Sequence, residues 1–99
     1  MISPRDTALR LDEDDDIVGA AAAYEELLSS GGANIEDLIA MALVYWRCAD
    51  SGVAASKGIS DDFELRARAR LQDVLALAVL RDPANCEAKF WTLYCTFIM

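Results

Sequence analysis

The sequence predicts an all-α chain of antiparallel helical hairpins, about four helices with a short N-terminal turn ahead of them. Three observations carry that expectation. Apolar residues recur at i, i+3/i+4 and i+7 in four separate stretches, the period of an amphipathic helix. Starts and stops fall between these stretches: Asn34, Asp61 and Asn85 can open helices, while Ser29-Ser30-Gly31-Gly32 and Asp82-Pro83 can close them. β-Branched alternation over four or more residues is absent, so nothing calls for a sheet.

Ser3-Pro4 reads as an N-cap followed by proline at the first helical position. It opens a turn through Leu9 and Leu11 that the run Asp12-Glu13-Asp14-Asp15-Asp16 interrupts. The first full helix starts after Asp16 and carries Ile17, Ala20, Ala21, Tyr24, Leu27 and Leu28 on its apolar stripe, with acids at its positive end. Asn34 caps the second, with Asp37 at the third helical position. Between Leu38 and Trp46 that helix is apolar almost all round, which marks an element packed on several sides and makes it the central one. Residues 50–60 contain Gly52 and Gly58 with weak periodicity and read as a loop with room for a helical turn. Asp61 and Glu64 resemble a capping box, and a long helix runs from there to about Arg81 through Phe63, Ala67, Leu71, Val74, Leu75, Ala78 and Val79. Asp82-Pro83 ends it, because the residue before proline is pushed out of the helical region. Asn85 then caps a last helix with Ala88, Phe90, Trp91, Leu93, Tyr94, Phe97 and Ile98.

The stretch Ile17, Ala20, Tyr24, Leu27-Leu28 resembles the second helix of a tetratricopeptide repeat. Leu38, Met41, Ala42 and Tyr45 resemble the first helix of the next unit, and Asp82-Pro83-Ala84-Asn85-Cys86-Glu87-Ala88 resembles that family's junction between units. The resemblance spans roughly Asp16 to Tyr94. It implies a short right-handed α-solenoid, a single domain over 1–99 with an acidic leading segment (1–14) able to move and a loop at 50–60. It also implies binding to another protein. Members that bind chaperone C-termini use a carboxylate clamp of Lys, Asn and Arg. Here Ile39 and Leu43 stand at the inward positions assigned to Lys and Asn, so the resemblance does not extend to that use.

At 99 residues the chain has room for one core. It is 55% apolar and 26% charged, a globular composition, with a net charge of −8. An acidic chain repels phosphate backbones and anionic headgroups, so neither nucleic acid nor a membrane surface is an expected partner. The longest apolar run, Leu38–Trp46, is nine residues, whereas a membrane span needs about 20. The charge is also unevenly placed. Residues 1–37 hold ten acids against two bases and residues 38–99 hold seven of each, so the whole −8 falls on the first 37.

There is no histidine, which removes the commonest general base and metal ligand. Cys48, Cys86 and Cys95 have no C-x-x-C spacing and sit in apolar helical stretches, as small hydrophobes rather than nucleophiles, and an odd set fits a reducing, cytoplasmic compartment. Asp14 taken as the first ligand of a calcium loop puts Asp16, Gly19 and Glu25 in place. Val18 then fills a ligand position and Ala20–Ala23 favour helix, so the acidic run reads as a solvated helix start. Arg66, Arg68 and Arg70 read as a solvated face, with Asp62–Arg66 and Glu64–Arg68 as i, i+4 pairs. No enzyme activity, cofactor, metal or small-molecule substrate is expected.

The last ten residues, 90–99, carry no charge and cover more than one helix face with apolar side chains. Tyr45, Trp46, Phe90, Trp91, Tyr94, Phe97 and Ile98 are therefore the candidate partner-binding residues. The expectation is a protein-interaction module that also self-associates through its apolar last helix. The alternative is an acidic inhibitor or immunity-type protein that neutralises a basic target.

Overall fold

The computed structural model describes residues 3–98, excluding the side chains of Ser51 and of residues 96–98. Six helices form: α1 (Pro4–Glu13), α2 (Ile17–Ser29), α3 (Ile35–Ala49), α4 (Ser51–Lys57), α5 (Asp61–Arg81) and α6 (Cys86–Ile98). No strand occurs among the described residues.

Two elements differ from the sequence reading. The N-terminal turn is a ten-residue helix: the Ser3 hydroxyl accepts from the Asp6 amide, Pro4 takes the first turn, and Ala8 is fully buried against its neighbours. The acidic run stops α1 without unwinding it. Asp15 and Asp16 donate their amides back to the carbonyls of Asp12 and Leu11, with Asp15 in the left-handed region at φ 62°, which a short polar side chain tolerates. The same double bonding closes α2, where Gly31 (φ 80°) and Gly32 bond the carbonyls of Leu28 and Leu27. The 50–60 segment is likewise more ordered than a loop. Asp50 caps α4 by accepting from the Val53 amide, and Gly58 (φ 71°) ends it.

The other boundaries fall where the caps put them. Asp16 accepts from the Gly19 amide, and Asn34 and Asp37 exchange the reciprocal bonds of a capping box at 2.8 and 2.9 Å. For α5 the cap is Ser60, one residue ahead of the expected Asp61, and Asn85 caps α6 through the Ala88 amide.

α3 is the central element, as its all-round apolar sequence requires. It packs most extensively on α5 and also meets α2 and α4, while α1 packs on α2 and α6 on α5. The core is built from Ile17, Tyr24, Leu38, Met41, Val44, Cys48, Leu71, Val74 and Leu75, all essentially fully buried. Alanines at the crossings, among them Ala20, Ala42, Ala67 and Ala78, let the helices approach closely.

Side-chain bonds fix the relative directions. Arg5 and Asp37 join the starts of α1 and α3, and Asp12 and Arg47 join their ends, so the two helices run the same way. α6 lies along the other flank of α3 in the same sense, since Asn85 and Glu87 border the same hollow as Ile35 and Glu36, and Trp91 meets Trp46. α1, α3 and α6 thus form one layer, with α2 and α5 behind it. A thickness of 19 Å, against extents of 41 and 36 Å, is that of two helices, each about 10 Å across.

Candidate functional site

Two adjoining hollows open between residues of α1, α3 and α6. α3 is buried on every side except the one that carries Ile35, Glu36, Ala40, Leu43, Trp46 and Arg47; of these, Glu36, Ala40, Leu43 and Arg47, spaced i, i+4, i+7 and i+11, form one line on the helix. That line is the floor of the two hollows, which share Ala40 and Leu43. One, of about 430 Å³, is lined by Asp12, Ala40, Leu43, Trp46, Arg47 and Trp91. The other, of about 350 Å³, is bordered by Ile35, Glu36, Ile39, Asn85 and Glu87. From Glu36 to Arg47 the floor runs about 16 Å at 1.5 Å per residue.

Four of the aromatic candidates cluster together, and two of them, Trp46 and Trp91, line this groove. The Trp46 ring lies 5.8 Å from Trp91 and 6.2 Å from Tyr94, and Trp91 lies 5.6 Å from Tyr94 in edge-to-face contact. Phe90 packs edge-on to Trp91 at 5.3 Å and stacks on Tyr94 at 6.2 Å. Such pairs contribute about 0.5–1.5 kcal/mol each beyond area burial and hold the rings in fixed orientations. Trp46, Trp91 and Tyr94 are half-buried, and Phe90 is 57% exposed beside Leu93 at 60%. The side chains of Phe97 and Ile98 lie outside the described residues.

Tyr45 does not belong to this surface. It is buried on the opposite side of α3, where its hydroxyl donates to Glu25 at 2.7 Å. Burial first, and then the Glu25 carboxylate, push its phenol well above the usual range. Arg70 completes the cluster with two bonds of 2.8 Å to the same carboxylate, which hold Glu25 below the ordinary carboxylate range. A hollow of about 240 Å³ lies beside it, walled by Phe63, Arg66 and Ala67. Its charges are already matched to one another, which makes it a brace between α2, α3 and α5.

Three of the five acids in the acidic run are also occupied. Asp12 pairs with Arg47, Asp15 with Lys57, and Asp16 caps α2. Of the arginine cluster, Arg66 and Arg68 make the i, i+4 pairs with Asp62 and Glu64, while Arg70 turns to Glu25. Cys48 and Cys95 are buried, and burial pushes the Cys48 thiol up to about 11. Cys86, expected in apolar surroundings, is exposed at the start of α6.

Ile39 and Leu43 are among the residues that line the groove. Ala40, Glu36 and Glu87 line it too and escaped the sequence reading. The signal for the α3 pair is that Glu36 and Arg47 are charged residues bracketing the apolar helix on a single line. Compared with protein-family models, with curated proteins and with solved structures, the chain matches none.

Proposed function

We propose that this chain is a protein-interaction module of tetratricopeptide-like helical hairpins, which receives a segment of a partner protein in the α1/α3/α6 groove and performs no chemistry of its own. The observation that carries this reading is the groove floor. It gathers Leu43, Trp46 and Trp91 into one largely apolar hollow, open to solvent. Apolar hollows with fixed aromatic walls are where binding energy concentrates in protein interfaces. The co-directional packing of α1, α3 and α6 against a second layer supports the hairpin-repeat resemblance. The three unpaired cysteines support a reducing compartment such as the cytoplasm.

Self-association through α6 belongs to the same reading, supported by Phe90 and Leu93, each more than half exposed on that helix. Sedimentation equilibrium of the wild type and of Leu93→Lys tests it, and a strictly monomeric wild type at high concentration contradicts it. The acidic-inhibitor reading has less support, because Asp12, Asp15, Glu25 and Asp37 are engaged with cations of the same chain.

The test of the groove is selection of displayed random peptides against the whole chain, with Leu43→Glu and Ala40→Glu as counter-targets. Peptides that bind the wild type and neither variant are expected. Peptides indifferent to both substitutions contradict the reading.

A further inference from the structure

We infer that the partner segment is basic: an apolar stretch carrying Lys or Arg, which seats its apolar side chains on Leu43, Trp46 and Trp91 and its cation between Glu36 and Glu87. The inference rests on the groove reading above and adds the partner's chemistry to it.

The charges that line the groove decide the matter. Four ionisable residues line the two hollows: Asp12, Arg47, Glu36 and Glu87. Asp12 and Arg47 are bonded to each other and cancel. Glu36 and Glu87 stand at the other end on α3 and α6, both exposed, and neither makes an ion pair or hydrogen bond with another described residue. Each also lies in the first turn of its helix, where the dipole favours an acid. A helix N-terminus carries roughly half a positive charge, so two full carboxylates still leave this end of the groove negative. An anionic segment would meet that excess directly, whereas a cation gains from it. The chain's net charge of −8 adds long-range attraction of the same sign.

Global attraction and local recognition separate in one experiment. A random dodecapeptide library displayed on phage is selected against the full chain. Enriched sequences are then synthesised and titrated into the wild type and the Glu36→Gln/Glu87→Gln double variant, whose folding is checked by circular dichroism. The expected peptides carry Lys or Arg beside an apolar pair. The double variant binds them about tenfold more weakly and with a shallower salt dependence, as the loss of two rim charges predicts. Enriched peptides that carry no base yet fail to bind Leu43→Glu overturn the inference and leave the groove reading intact. Basic peptides bound equally by wild type and double variant also overturn it, since the attraction then belongs to the chain's net charge. A selection that enriches nothing, or only peptides indifferent to Leu43→Glu and Ala40→Glu, overturns the groove reading itself.

Discussion

Arg70 on α5 grips Glu25 on α2 through two parallel hydrogen bonds of 2.8 Å, and the same carboxylate accepts a third, of 2.7 Å, from the buried Tyr45 hydroxyl on α3. One carboxylate thereby ties three helices together. The pattern repeats along the chain: Asp12 holds Arg47 and Asp15 holds Lys57. The surplus acids of the first 37 residues thus serve in part as counter-charges for the second half.

Tyr45→Phe keeps the buried ring and removes only the hydroxyl. It is expected to cost about 1 kcal/mol in urea unfolding, the usual net contribution of one hydrogen bond. Glu25→Gln removes the charge that Arg70 and Tyr45 share. Coupling between Tyr45→Phe and Glu25→Gln in a double-mutant cycle is therefore expected to be about 1 kcal/mol, and additivity within error contradicts the tie.

Stability falls in acid, and the sign follows from two carboxyls. Arg5 holds Asp37, and Arg70 holds Glu25, below their ordinary values of 3.8 and 4.5. Each binds its proton less readily folded than unfolded, so its contribution is complete above those ordinary values and is lost as pH falls through the lower folded ones. With no histidine in the chain, the melting temperature is expected to be nearly flat from about pH 6 to about pH 8 and to drop below about pH 4. Glu25→Gln should remove part of that drop. A melting profile for Glu25→Gln parallel to wild type throughout speaks against the Arg70 bond.

Thiol reactivity should divide the cysteines. Cys86 is exposed, whereas Cys48 and Cys95 are buried with thiols pushed above their ordinary value by that burial. Brief alkylation at neutral pH followed by peptide mass spectrometry is expected to label Cys86, with Cys48 and Cys95 labelled only after denaturation. Rapid labelling of Cys48 in the folded chain would mean that α3 is not the central helix.

Gly31→Ala isolates a backbone effect. At φ 80° the residue closes α2, and a methyl group there would meet nothing within 4 Å. The cost is then conformational alone, about 1 kcal/mol, with Gly31→Asn costing less because Asn tolerates the left-handed region. A neutral Gly31→Ala would show that the α2 terminus shifts to accommodate it.

Local rules made most of the fold legible. Ser3, Asp16, Asn34 and Asn85 announce their helices because a cap is a contact within four residues, and the apolar girdle of α3 identifies the centre. The acidic run hid α1, since five consecutive acids read as solvated chain until Lys57 and Arg47, far away in sequence, are placed beside them. The same distance in sequence concealed the site. Trp46 and Trp91 are visible as aromatics, but only the packing of α6 along α3 brings them into contact in the lining of one hollow, while Tyr45, one residue away, lies on the opposite side.

The chain's only two tryptophans, Trp46 and Trp91, both line the groove, so its intrinsic emission reports occupancy directly. Titrating a peptide selected from the displayed library into the wild type should give a saturable blue shift as solvent leaves the two rings, and Leu43→Glu should abolish it. A peptide that binds, by an independent measure such as calorimetry, with unchanged tryptophan emission and undiminished affinity for Leu43→Glu would contradict the assignment of the groove as the binding site.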